Sequence, residues 1–266
     1  MFLETTDGVA ILGYAGLGAT AQGTEPADWM STVLRGRKLP LEQSLGVLAK
    51  AMQEQLPPHM VRMPPDRIAA HHVIVPAFLG QEPRLYSIDL VFAPDRKSYR
   101  FRYTRHAKPP TGAPPRLGIG GSSALRLMQD NKWMRNLLRA VRANERGNAS
   151  ARAVADYLAM LNSNVTVIDE WVGPRCIVAW RFRKGGFHKG GGGQAYYTGL
   201  KRDASSPALP TIANGMDVRA LVEAMMPRFT RDMEAMLAGK PAPEWDRDEV
   251  NAELARLPHG PDETLR

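Results

Sequence analysis

Few stretches of this 266-residue chain pair residue type with a spacing that could do chemistry. Gly118-Ile119-Gly120-Gly121-Ser122-Ser123 runs from a short apolar segment into a helical pattern. Backbone N–H groups and two hydroxyls there suit an anion or a developing oxyanion. The same two serines also serve simple N-capping. Lys132, Arg135, Arg139, Arg142 and Arg146 recur at alternating steps of three and four. On a helix that spacing makes one basic stripe, which fits phosphates or another anionic partner as well as solvent. Gly16-x-Gly18-x-x-Ala21 follows an apolar run, as in a dinucleotide fingerprint. That fingerprint needs a helix opening inside it and a parallel strand next, and two helical patterns intervene here.

Other chemistries lack their residues. The six histidines show no metal spacing, and neither His-Glu-x-x-His nor Gly-x-Ser-x-Gly occurs. No metal or cofactor is therefore expected. His71-His72 reads as a solvent-edge pair. The one cysteine, Cys176, lies in an apolar strand pattern and reads as an inert core thiol. The net charge of +8 is uneven, because the body is basic while residues 240–266 hold seven acids against four bases. A basic body with an acidic tail draws anionic partners, nucleic acid among them. No apolar run approaches the length of a membrane span, and no secretory signal opens the chain, so a cytoplasmic protein is expected.

The elements that would position these residues follow from periodicity. Val9–Leu12 is a buried strand running into small residues, with Gly13, Gly16 and Gly18 supplying close approach or positive φ. Thr24 is placed to cap a helix to Leu34. Apolar residues at Leu41, Leu45, Leu48, Ala49, Met52 and Leu56 give a second helix, antiparallel to the first, ended by Pro57-Pro58. Strand patterns follow at His72–Val75, Arg84–Phe92 and Ser98–Tyr103, with period-two alternation in the last two, and a fourth at Leu117–Gly120. Helices are expected from Ser123 to about Glu145 and, capped by Ser150, through Leu161. Arg175–Phe182 and Gln194–Thr198 form a hairpin around a glycine-rich loop, and Met216–Leu237 is a last amphipathic helix. Residues 1–238 then make one domain. Residues 239–266 make a charged, proline-containing tail expected to be partly disordered.

Helices arrive in pairs between blocks of strands. The predicted fold class is α+β, with two stacked antiparallel sheets clad by helices in a four-layer αββα sandwich. This order resembles N-terminal-nucleophile hydrolases, specifically proteasome β-subunit relatives. Asp7 to Gly16 resembles the family's strand into a small-residue turn before its first helix. Gly120-Gly121-Ser122-Ser123 resembles its glycine-serine turn, and Val172 to Val178 its strand after the fourth helix. The resemblance implies amide or peptide hydrolysis by an N-terminal threonine with its own amine as base, and self-association as a ring or dimer. Carried onto this sequence, the candidates are Thr5 and Thr6 as nucleophile, Ser122 and Ser123 in the turn, and Asp169 as an assisting acid. The family's lysine and aspartate should precede the strand at Val9, where only Met1–Thr6 stand, and Val172 replaces an expected hydroxyl. The expectation is a catalytically incomplete relative, or one whose first strands lie upstream. The alternative is a basic binding or scaffold module without catalysis.

Overall fold

The computed structural model describes residues 1–266 except 96–97, 109, 111–130, 171, 183–190, 205–207 and 242–243. The Leu117–Gly120 strand, Ser122, Ser123 and the start of the helix expected from Ser123 lie outside the described residues, as does most of the glycine-rich loop.

The fold is α+β. A larger sheet joins β1 (Phe2–Glu4), β2 (Gly8–Ile11), β3 (Gly13–Ala15), β4 (His72–Leu79), β5 (Glu82–Phe92), β6 (Tyr99–Arg105), β10 (Thr211–Ala213) and β11 (Met216–Asp217). Its order is β11-β10-β1-β2-β4-β5-β6, with β3 also on β4. A smaller antiparallel sheet has the order β7-β8-β9, from Arg175–Arg181, Gly192–Thr198 and Lys201–Asp203. The larger sheet is mixed rather than antiparallel throughout, because β1 runs parallel to β10 with Leu3 opposite Ile212.

The alternation along β5 decides which way the larger sheet faces. Tyr86, Ile88 and Leu90 are buried in one core with Val73 and Val75 of β4 and Phe101 of β6. Helices α1 (Pro26–Leu34) and α2 (Leu41–Gln55) cover that face and touch each other. Leu41, Leu45, Leu48, Ala49 and Met52 are all buried, as the 3.6-residue spacing requires. Two short helices, α3 (Pro57–Met60) and α4 (Pro65–Ile68), bring the chain back to β4. Pro57 and Pro58 open α3 rather than ending all helical structure, since proline fits the first turn. The N-cap of α1 is Glu25, not Thr24, with Pro26 at the first helical position. The α2 terminus has no cap from its own flank. Asp7 supplies one from afar, its Oδ1 accepting from Leu41 N–H at 2.8 Å.

Helices α5 (Asn131–Glu145) and α6 (Ala151–Ile168) pack together. Ser150 caps α6 as expected, its hydroxyl accepting from Ala153 N–H. Helix α6 lies on β7 and β8, where Ala155, Ala159, Val178, Ala195 and Tyr197 form a second, smaller core. The two sheets meet where β2 touches β7. The last long helix, α7, is Val218–Leu237 rather than Met216–Leu237; Met216 and Asp217 belong to β11, and Asp217 caps the helix through Ala220 N–H.

The charged tail is where the structure differs most from the expectation. It carries α8 (Arg247–Ala255), capped by Asp246. Arg228 of α7 donates to Glu253 at 2.7 Å and to Glu249 at 2.9 Å, tying α8 to α7. The final residues return to α1 and α2. Asp262 N–H donates to Thr32 O, Leu265 N–H to Gln55 Oε1, and Arg37 pairs with Glu263. Composition marks such a segment as polar, while its partners lie some 200 positions earlier, out of reach of a local reading.

Candidate functional site

A cleft of ≈ 840 Å³ opens where the two sheets and the starts of α1 and α7 converge. That is within the ~300–1,000 Å³ typical of ligand pockets. Strand alternation builds it. Val178 and Tyr197 face α6, so Ile177 and Arg181 of β7 face the other way, into the cleft. Phe2 of β1 and Leu209–Thr211 form the opposing wall. Helix α7 adds Val218 and Val222, and helix α1 adds Ala27.

The Arg181 guanidinium stacks on the Phe2 ring, its Cζ 4.3 Å from the centroid. Burial pulls its pKa below the ordinary arginine value, and Glu4 partly offsets this. Gly192 leaves room for the Arg181 side chain, since a Cβ there would sit 2.7 Å from Arg181 Cδ. A Cβ at Gly193 would sit 2.6 Å from the Trp180 ring, so glycine at both positions lets β8 pass this close to β7. The expected flexible loop therefore ends earlier than its composition suggests, and Gly192 and Gly193 already belong to β8. At the rim stand the exposed carboxylates of Glu25 and Glu223 and the half-buried Asp28. Arg219 donates to Asp28 and to Glu223, both at 2.8 Å. The hydrogen bond to Glu223 chiefly raises the Arg219 pKa. The cleft thus offers apolar walls, an arginine at its base and a net acidic rim.

The sequence candidates fall elsewhere. Thr5 closes the β1–β2 turn. Its amide donates to Gly8 O at 2.8 Å, and its hydroxyl lies 3.0 Å from both Asp7 Oδ1 and Gly8 O. Thr6 is exposed beside it, with its amide on Leu39 O. Asp169 is the C-cap residue of α6, bonded through its own amide to Val165 O. None of the three lines the cleft. Ser122 and Ser123 lie outside the described residues. Lys132, Arg135, Arg139 and Arg142 on α5 and Arg146 just past its end are all exposed. Cys176 is half-buried against the smaller core, and burial raises its thiol pKa, which keeps it protonated and unreactive. Among the described residues no group of three or more His, Cys, Asp or Glu could hold a metal ion.

Two polar clusters escaped the sequence reading. Ser87 Oγ donates to Asp89 Oδ2 at 2.5 Å and accepts from His106 Nε2 at 2.9 Å. The residue types are those of a hydrolase triad, but the order is wrong. The serine sits between acid and histidine, so the histidine cannot take its proton. The signal was the alternation of Ser87 and Asp89 on one face of β5.

The second cluster is His71, read as a solvent-edge residue and found 1 % exposed. Its Nδ1 faces the carbonyls of Arg67 and Ile68 at 3.0 and 3.1 Å and must donate. Its Nε2 accepts from Leu17 N–H at 3.2 Å, and Tyr14 Oη accepts from the same amide. These roles fix the neutral imidazole, and burial lowers its pKa. Gly16 passes over the ring at φ +140°, where a Cβ would lie 2.6 Å from His71 Cδ2. Gly16 is therefore the glycine of the opening stretch that this geometry demands. Gly18 has open space around it. Four helices, α1 to α4, separate this loop from the next strand in the chain, β4, and β3 pairs with it antiparallel, so no βαβ dinucleotide unit exists here.

No protein-family model, curated protein or solved structure matches this chain. No helix among the described residues is long and apolar enough to cross a membrane.

Proposed function

We propose that this chain is a proteasome-β-like protein of the N-terminal-nucleophile hydrolase fold, whose inter-sheet cleft binds a peptide or related amide without cleaving it. The single observation that carries the reading is the cleft itself, walled by Phe2 on one sheet and by Ile177 and Arg181 on the other. The layering supports it. Helices α1 and α2 pack on the larger sheet, β2 touches β7, and α6 packs behind β7 and β8, an order consistent with an αββα sandwich. The placement of Thr5 supports the absence of turnover. Its amide and hydroxyl are both engaged in a turn away from the cleft. A bound peptide would lay apolar side chains on Ile177 and Val218 and present cationic groups to Glu25 and Glu223.

The test uses fluorogenic peptide amides that carry one basic and one apolar residue. Binding should raise the melting temperature, no fluorophore should be released, and Ile177→Glu should abolish the shift. Release of fluorophore that disappears in Thr5→Ala would overturn the non-catalytic part. Failure of every such peptide to shift the wild-type chain would overturn the binding part.

A second reading rests on the exposed stripe of α5. Five cations along one helix face suit a phosphate backbone. If all five engage duplex DNA, log Kobs should fall against log salt with a slope near about −4.5. The variant Arg139→Ala/Arg142→Ala should flatten that slope by about two. An unchanged slope would remove the stripe from consideration.

A further inference from the structure

Helix α7 carries a largely exposed apolar face, met among the described residues by Trp245, edge-on at Phe229 with ring centroids 5.3 Å apart, and bordering the cleft at Val222. Val222, Met226, Phe229, Met233 and Met236 follow one another at steps of four, three, four and three, with Leu237 beside the last. Each is between 49 and 83 % exposed. The helix does have a body-facing side, and it is a different one: Met225, Arg228 and Asp232 are buried, and the last two hold α8 and Trp245. The exposed residues are thus not the ordinary inner stripe of an amphipathic helix. They form a second apolar stripe at 3.5-residue spacing, the repeat that packs one helix against another.

We infer that α7 is a self-association surface, on which a second copy of this chain docks its own α7 antiparallel. Three features name that occupant. The steps read four-three-four-three in one direction and three-four-three-four in the other. The same helix turned end to end therefore supplies a knob for each hole. Met226 of one copy would lie across from Met233 of the other, with the two Phe229 rings near the two-fold axis. Antiparallel pairing also sets opposite helix dipoles side by side.

The third feature is area. The six side chains expose roughly 500–700 Å² of apolar surface, at or beyond the largest patch of a typical monomer. That approaches the ~800 Å² per partner of a standard interface. Three of the six are methionines, whose flexible thioethers fill gaps in a symmetric seam.

The test is sedimentation of the full chain over two decades of concentration. The wild type should reach a species of twice the 29.3 kDa chain mass. Met233→Glu should weaken the dimer at least tenfold, because it sets a charge against Met226 of the other copy. Val167→Glu, at an 84 % exposed apolar position on α6, should leave the dimer unchanged. Orientation is read from cysteines in a Cys176→Ser background. Met226→Cys with Met233→Cys should cross-link two chains, and Met226→Cys alone should not. A wild type that stays monomeric, a dimer untouched by Met233→Glu in a chain with unaltered circular dichroism, or cross-linking by Met226→Cys alone would each overturn the inference.

Discussion

The two cores of this protein differ sharply. Beneath the larger sheet, α1 and α2 bury leucines, methionines, Trp29 and Tyr86 almost completely. Beneath the smaller sheet, α6 buries five residues, and three of them are alanines. One half is held by dense hydrophobic packing. The other is thin and leans on single polar ties such as Tyr197 Oη to Asp156 at 2.6 Å, a bond that with burial pushes the Tyr197 pKa up to about 12. The cleft lies between them, with one densely packed wall and one thinly packed wall. Loosely held elements are the ones that adjust around ligands.

Substitutions can break that contrast. Leu48→Ala, in the dense core, should cost about 3–5 kcal/mol by denaturant unfolding. Val178→Ala, in the thin one, should cost about 1–2 kcal/mol, because it removes less volume and its surroundings can collapse. Equal costs would mean that the halves share one core. Gly16→Ala should cost about 2–3 kcal/mol, from the positive φ and the collision with His71, while Gly18→Ala should be neutral within error.

The His71 effect is smaller and depends on pH. The folded chain holds this imidazole below its ordinary pKa, and the unfolded chain titrates near ~6.5. Below that pH the unfolded state binds a proton that the folded state refuses. Stability should therefore fall as pH drops through 6.5 and level off beneath the folded pKa. His71→Gln should remove that part of the slope; an unaltered profile would show that the ring is not held neutral. Smallest is Tyr197→Phe, at about 0.5–1.5 kcal/mol.

The same contrast explains what could be read from the chain. Leu41 to Leu56 and the alternation through Tyr86, Ile88 and Leu90 were legible because a long element with one buried face repeats its signal. Strands of two or three residues, such as β1, β10 and β11, hold no period, and β1 gains its parallel neighbour from 209 positions further on. The role of His71 was invisible for a related reason, since its partner Leu17 lies across a loop. The cleft was only half legible. Arg175–Phe182 was readable as a strand, but which of its faces met Phe2 depended on α6 covering the other. The stripe on α5 was legible in full, because exposure on one helix face follows from spacing alone.

The proposed ligand site lies between the two sheets. Hydrogen–deuterium exchange of the full chain, with and without a stabilising peptide amide, tests it most directly. Binding in the cleft should slow exchange in β7, at Gly192–Gln194 and in the first turns of α7, with α5 unchanged. Slowing confined to α5, or spread without regard to the cleft, would contradict it.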